Sequence, residues 1–217
     1  MNHFSSMLNK QIKLKITGHS FKGILTDFGN DILVLFDGQK FFYIPLLHVQ
    51  KAVLIEEDNE DTKQPAILPF SPEDDSPISY RSTLINAKGL NTQIHVIGKK
   101  TLHGTIIHVL SDYLVLYSPV YKLIYIPLAH LKWLTLYEQN TSPYSVQFEL
   151  PDTSSLSRSF EEQLKKFEGK IAVFDMGEDP DKIGLLKNGK GNLIELINAN
   201  GEAVYFKLNH VKSVYLP

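Results

Sequence analysis

Imidazole, carboxylate and ammonium groups are the side chains here that could carry chemistry, because the chain has no cysteine. Thiolate nucleophiles, disulfides and Cys-ligated zinc or iron–sulfur sites are thereby excluded together. His48, His130 and His210 share one setting, each following a tyrosine (Tyr43, Tyr125, Tyr205) at the same short spacing. Imidazole serves as a general base or a metal ligand near neutral pH. No Asp, Glu or second His accompanies any of the three at ligand spacing, so the expected role is structural, a ring nitrogen tying the backbone of its own turn. His103 and His108 lie five apart on a presumed strand, which places them on opposite faces and rules out joint chelation. Asp31 and Asp112 occupy matching positions where Asn192 also stands, an exchange that a turn residue tolerates and a catalytic carboxylate does not. The acidic loop from Gly177 to Gly184 lacks the alternating oxygen ligands and distal Glu of a calcium loop. No Gly-x-Ser-x-Gly, P-loop or Gly-x-Gly-x-x-Gly string occurs. The expectation is therefore no catalytic residue, no cofactor, no metal and no small-molecule substrate.

The elements that position these residues are repeated. Gly23 and Asp31 recur as Gly104 and Asp112 at an offset of 81, and Tyr43 and His48 recur as Tyr125 and His130 at 82. A fainter third copy has Gly184 and Asn192 at 161 and Tyr205 and His210 at 162 from the first. Independent landmarks keeping step to within a residue identify a triplication. Within the first copy, Gln11 to Ile16 alternates polar and apolar as a half-buried strand does. Lys22–Asp27, Ile32–Phe36, Phe41–Ile44 and His48–Ile55 read as four further strands, separated by Gly- and Asn-containing turns and ended at Pro45. The predicted fold is mostly β, three tandem small SH3/Sm-like barrels, each preceded by a short helix. Ser159 and Glu162 form a capping box and Phe160, Leu164 and Phe167 an apolar stripe, so that helix is expected to lid its own barrel. Ser82–Leu90 and Asn2–Asn9 stand in the equivalent places. The predicted organisation is repeat 1 over 1–56, an acidic Pro-rich linker over 57–79, repeat 2 over 80–138, a linker over 139–157 and repeat 3 over 158–217. Ala66–Phe70 is a candidate clip within the first linker.

Composition narrows the partners. The chain of 217 residues is 43% hydrophobic with net charge −2, so it can bury a core and has no field that would draw in nucleic acid or anionic membrane. No run of about 18 apolar residues suggests a membrane span, and no leader pattern opens the sequence, so a soluble protein kept within the cell is expected. Lys10, Lys13, Lys15, Lys22, Lys99 and Lys100 support an alternative Sm-like RNA-binding reading. Gly23-Ile24-Leu25-Thr26-Asp27-Phe28 would be its first motif, but the Arg-Gly step of the second is absent, with Tyr43-Ile44-Pro45 in its place. Nucleic acid is thus not the expected partner.

The ending Val204-Tyr205-Phe206-Lys207-Leu208-Asn209-His210-Val211-Lys212-Ser213-Val214, with Gly184 and its acidic Gly- and Pro-containing loop, resembles the repeat of the spore coat protein B (CotB) family of Bacillus-type endospore formers. Tyr43–Val53 and Tyr125–Leu134 keep the Tyr, His and Lys of that ending and lose its serine. The Gly-Gly-Pro-Glu loop of that family is degenerate here, and no Ser/Lys/Arg-rich tail follows. The resemblance implies a non-enzymatic structural component of the spore coat, made in the mother cell and assembled with other coat proteins. Association with further copies of itself is also expected.

Overall fold

The computed structural model describes residues 4–55, 77–97, 100–137, 151, 153, 155–189 and 191–217. The Ala66–Phe70 clip, most of both linkers and Lys99 lie outside them. Fifteen strands form a single antiparallel sheet. The first five are β1 (Gln11–Ile16), β2 (His19–Phe28), β3 (Ile32–Phe36), β4 (Phe41–Pro45) and β5 (Val49–Leu54). Helix α1 (Tyr80–Asn86) precedes β6 (Asn91–Ile97), β7 (Lys100–Val109), β8 (Tyr113–Ser118), β9 (Lys122–Pro127) and β10 (Trp133–Leu136). Helix α2 (Phe160–Lys165) precedes β11 (Ile171–Phe174), β12 (Ile183–Asn188), β13 (Leu193–Asn198), β14 (Ala203–Lys207) and β15 (Val214–Tyr215). A single 3₁₀ turn, Ser5–Met7, stands where the first helix was expected.

The strand order is β14-β13-β12-β11-β15-β9-β8-β7-β6-β10-β4-β3-β2-β1-β5, the same five-strand pattern three times over. In each repeat the first strand pairs with both the second and the fifth. The fourth strand turns instead to the next repeat: Tyr43 on β4 pairs with Leu134 on β10, and Tyr125 on β9 pairs with Val214 on β15. The sheet is not closed, since β5 ends it on one side and β14 on the other.

Local sequence explains these elements. The helices start at Ser79 and Ser159, each accepting a hydrogen bond from the backbone N–H three residues on, with Ser82 and Glu162 completing the capping boxes. Asn9, Gly89 and Gly169 then take positive φ and donate to Leu25, Ile106 and Leu186, turning the chain into the first strand of each repeat. The long second strands bend at register shifts, between Leu25 and Asp27 and between Ile106 and His108.

The core shows how repeats are joined. β3 (ILVLF) and β8 (YLVLYS) are buried on both faces. One face of β3 lies in repeat 1's own core with Ile12, Leu14 and Leu25, whereas Ile32 and Val34, with Tyr43 of β4, pack with Leu84 of α1 and Ile94, Ile106 and Leu134 of repeat 2. Repeat 2 does the same for repeat 3, for Tyr113, Val115 and Tyr125 pack with Leu164 and Phe167, Phe174 and Val214. Each later core is therefore completed by the outer face of the preceding repeat. The helices do not simply lid their own repeat, as the sequence suggests; they are wedged between two repeats, because the outer face of β3–β4 or β8–β9 is apolar too.

Candidate functional site

The landmark glycines pack strands within each repeat, and the landmark Asp, Tyr and His residues of repeats 1 and 2 meet at the junctions. Beginning with the glycines, a Cβ on Gly23, Gly104 or Gly184 would stand 2.3, 2.1 or 2.0 Å from the carbonyl oxygen of Phe36, Tyr117 or Ile197 on the adjacent strand. Only glycine permits that approach.

Asp31, Asp112 and Asn192 use their main chain alike, each carbonyl accepting from Leu46, Leu128 or Leu208 at 2.8, 2.8 and 3.0 Å. This holds the 3₁₀ turn that carries the histidine (Leu46–His48, Leu128–His130, Leu208–His210) and does not depend on the side chain. The side chains make a second link. Asp31 Oδ1 accepts from the Tyr80 N–H at 2.8 Å and Asp112 Oδ1 from the Phe160 N–H at 2.9 Å, so each carboxylate receives the first turn of the following helix. The Tyr80 hydroxyl donates to the Leu128 carbonyl of its own repeat at 2.9 Å, and the Tyr113 hydroxyl donates to the Ser157 carbonyl ahead of α2 at 2.6 Å.

The sequence suggests that each histidine ties its own turn, but His48 and His130 reach the neighbouring repeat instead. His130 Nε2 donates to the carbonyl of Asn209, the residue before His210, at 2.8 Å. His48 faces the backbone of Ala129 and Leu131, its Nε2 buried without a hydrogen bond. Burial lowers the pKa of both rings, with Lys132 and His130 adding to the effect at His48. His210 belongs to the last repeat and is exposed.

A third contact at the first junction was not legible in the repeat pattern. His19 and the fully buried His95 bring their Nε2 atoms to 2.8 Å, and Trp133 stacks on His95 at 5.4 Å between ring centroids. Phe21 and Phe42 pack edgewise on Trp133. Tryptophan at the only such position in the chain was the available signal.

The remaining candidates stay apart. The register shift at Ile106/His108 breaks the alternation on which the opposite-face expectation for His103 and His108 rests. Each ring has its own partner, His103 meeting Tyr137 and His108 meeting Thr153. Just before the acidic loop of repeat 3, buried Asp175 bonds Lys182 of that loop at 2.5 Å and accepts from the Lys212 N–H at 2.7 Å, closing the loop with protein groups. Lys13 pairs with Lys22 and Lys15 with Lys51, forming an exposed basic row on β5-β1-β2. Among the described residues no group of three or more His, Asp or Glu is placed to hold a metal ion, and no helix is long and apolar enough to cross a membrane.

These features define a tandem-repeat β protein in which Asp31, Tyr43, His48, Asp112, Tyr125 and His130 lie where one repeat meets the next. A family model described as the YwrJ third domain matches residues 159–214. The chain is 41% identical over 229 aligned positions, covering all of both chains, to a Bacillus subtilis (strain 168) protein named "Uncharacterized protein YwrJ". It belongs to the YwrJ family.

Proposed function

We propose that this chain is a non-enzymatic structural component of the bacterial spore coat, a multi-repeat scaffold that holds other coat proteins. The carrying observation is that the landmarks Gly23, Asp31, Tyr43 and His48, with their counterparts Gly104, Asp112, Tyr125 and His130, are spent on strand packing and on contacts between repeats. In this reading each repeat is an SH3/Sm-like barrel left open beside its fourth strand, where a neighbour's strand enters. A sheet that grows by strand addition between like units suits a shell component, because main-chain hydrogen bonding supplies affinity and several units on one chain raise the effective concentration for further contacts. The resemblance of Tyr205–Val214 to the coat protein B ending and the full-length Bacillus relative support the setting.

The test is a fluorescent fusion expressed in a sporulating Bacillus host. A ring around the forespore, retained in coat extracts of mature spores, is the expected result. Diffuse vegetative fluorescence overturns the reading. The exposed lysine row on β5-β1-β2 favours RNA binding as the second reading, and a salt-sensitive RNA shift by the purified chain would move the assignment there.

A further inference from the structure

The two internal junctions are one contact made twice, and its two halves are left over at the ends of the molecule. The donor half is the outer face of a third and fourth strand with the histidine turn. Ile32, Tyr43 and His48 supply it in repeat 1 and Tyr113, Tyr125 and His130 in repeat 2, while Leu193, Tyr205 and His210 hold the same places in repeat 3. Ile32 and Tyr43 are 0% and 1% exposed and Tyr113 and Tyr125 are 0% and 6% exposed, whereas Leu193 and Tyr205 are 51% and 59% exposed. The acceptor half is a fifth strand and the carbonyl before the next histidine. Leu134 and Val214 supply the strand residue, and both are buried; Ala52 on β5 is its half-buried counterpart beside exposed Val53. The carbonyl before the histidine belongs to Ala129 or Asn209 inside the chain and to Leu47, 61% exposed, at the free end.

We infer that a second copy of this chain occupies these edges, β14 of one copy pairing antiparallel with β5 of the next. The internal register assigns the contacts: Tyr205 opposite Ala52, Val204 opposite Val53, and His210 donating to the Leu47 carbonyl, as Tyr125 meets Val214, Ile124 meets Tyr215 and His130 meets Asn209. Such a contact is heterologous, so it propagates head to tail until it closes into a ring or runs on as a filament. The half-buried apolar rim of repeat 1, with Phe4, Met7, Phe28, Ala52 and Leu54, would be covered as the cores of repeats 2 and 3 already are. The pattern is not kept throughout: Asn192 stands where Asp31 and Asp112 receive the next helix, repeat 1 offers a 3₁₀ turn in place of that helix, and Glu195 stands where Val34 and Val115 are buried. Burying an unpaired carboxylate is costly, which makes the contact between copies weaker than those within the chain. This inference names a partner for the scaffold proposed above and rests on that reading only for its biological setting.

A chain without cysteine allows a direct test. Val53→Cys and Val204→Cys variants, purified separately, are mixed and oxidised, since directly opposed residues on antiparallel strands bring their Cβ atoms within disulfide reach. The expected result is a 53–204 bond in the mixture, with neither variant cross-linking to itself, and closed or longer assemblies from the double variant. Glu195→Val, restoring the residue of the internal junctions, should tighten association about tenfold or more in sedimentation equilibrium. A predominance of 53–53 or 204–204 products overturns the inference. So does the absence of a 53–204 product in both the native and the Glu195→Val backgrounds. Purified protein answers this question whatever the fusion shows about the spore.

Discussion

Burial at the junctions holds the His19, His48 and His130 rings below their ordinary pKa, so the folded protein prefers them neutral. Their surroundings reinforce this. Lys132 faces His19 and His48, and Lys212 and His210 face His130, with Asp175 and the Asn209 carbonyl pulling the other way. At the His19–His95 contact one ring must present a bare nitrogen to the other, so double protonation breaks the bond. The sign follows from linkage: between the lowered folded value and the unfolded value of about 6.5, the unfolded chain binds more protons. The full contribution is therefore present above that value and is lost as pH falls below it. Urea midpoints should drop between pH 7.5 and pH 5, and His48→Asn should flatten that dependence. An unchanged pH profile in the variant would assign the drop to other groups.

Among the elements, the fourth strands differ most between the middle and the end of the molecule. β9 lies between β8 and β15, whereas β14 has β13 on one side and, among the described residues, no strand on the other. The two equivalent tyrosines should therefore respond differently to truncation. Tyr125→Ala opens a cavity between repeats and should cost about 3 kcal/mol or more in chemical denaturation. Tyr205→Ala on the exposed edge should stay within about 0.5 kcal/mol for the isolated chain. Comparable losses at both positions would mean that the free edge is covered in solution. The distinction could have been read from sequence: β3 and β8 are unbroken apolar runs, ILVLF and YLVLYS, and β13 reads LIELIN, with Glu195 breaking the run. An unbroken run signals burial on both faces, and alternation signals burial on one.

For the whole molecule, the continuous sheet and shared cores make the repeats neighbours in stability as well as in space. Stability of such an array is a sum of repeat and interface contributions, and cooperativity lasts while the interfaces are strong. Leu134→Ala removes a buried residue from the core of repeat 2 at its strand contact with Tyr43, and should cost about 3 kcal/mol. It should also split one unfolding transition into two when followed by Trp133 fluorescence and by far-ultraviolet circular dichroism. Coincident transitions in the variant would show that repeat 1 is coupled through contacts other than this strand pairing.

The second helix, read as Ser82–Leu90, starts instead after the Ser79 cap, whereas the triplication, the mostly β class, the capping box at Ser159 and the strand-ending prolines were present in the linear sequence. They follow from local rules: periodicity, backbone conformation and capping act over a few residues, and an offset between landmarks needs no fold to be counted. What Asp31, His48, Asp112 and His130 touch was decided only in three dimensions. Their partners Tyr80, Ala129, Phe160 and Asn209 lie 48 to 81 residues away, set by which outer face covers which core. A single copy read alone satisfies its own turn with these residues. Packed against its neighbour, it directs them outward, because the apolar surface left open by each repeat is larger than that repeat can bury by itself.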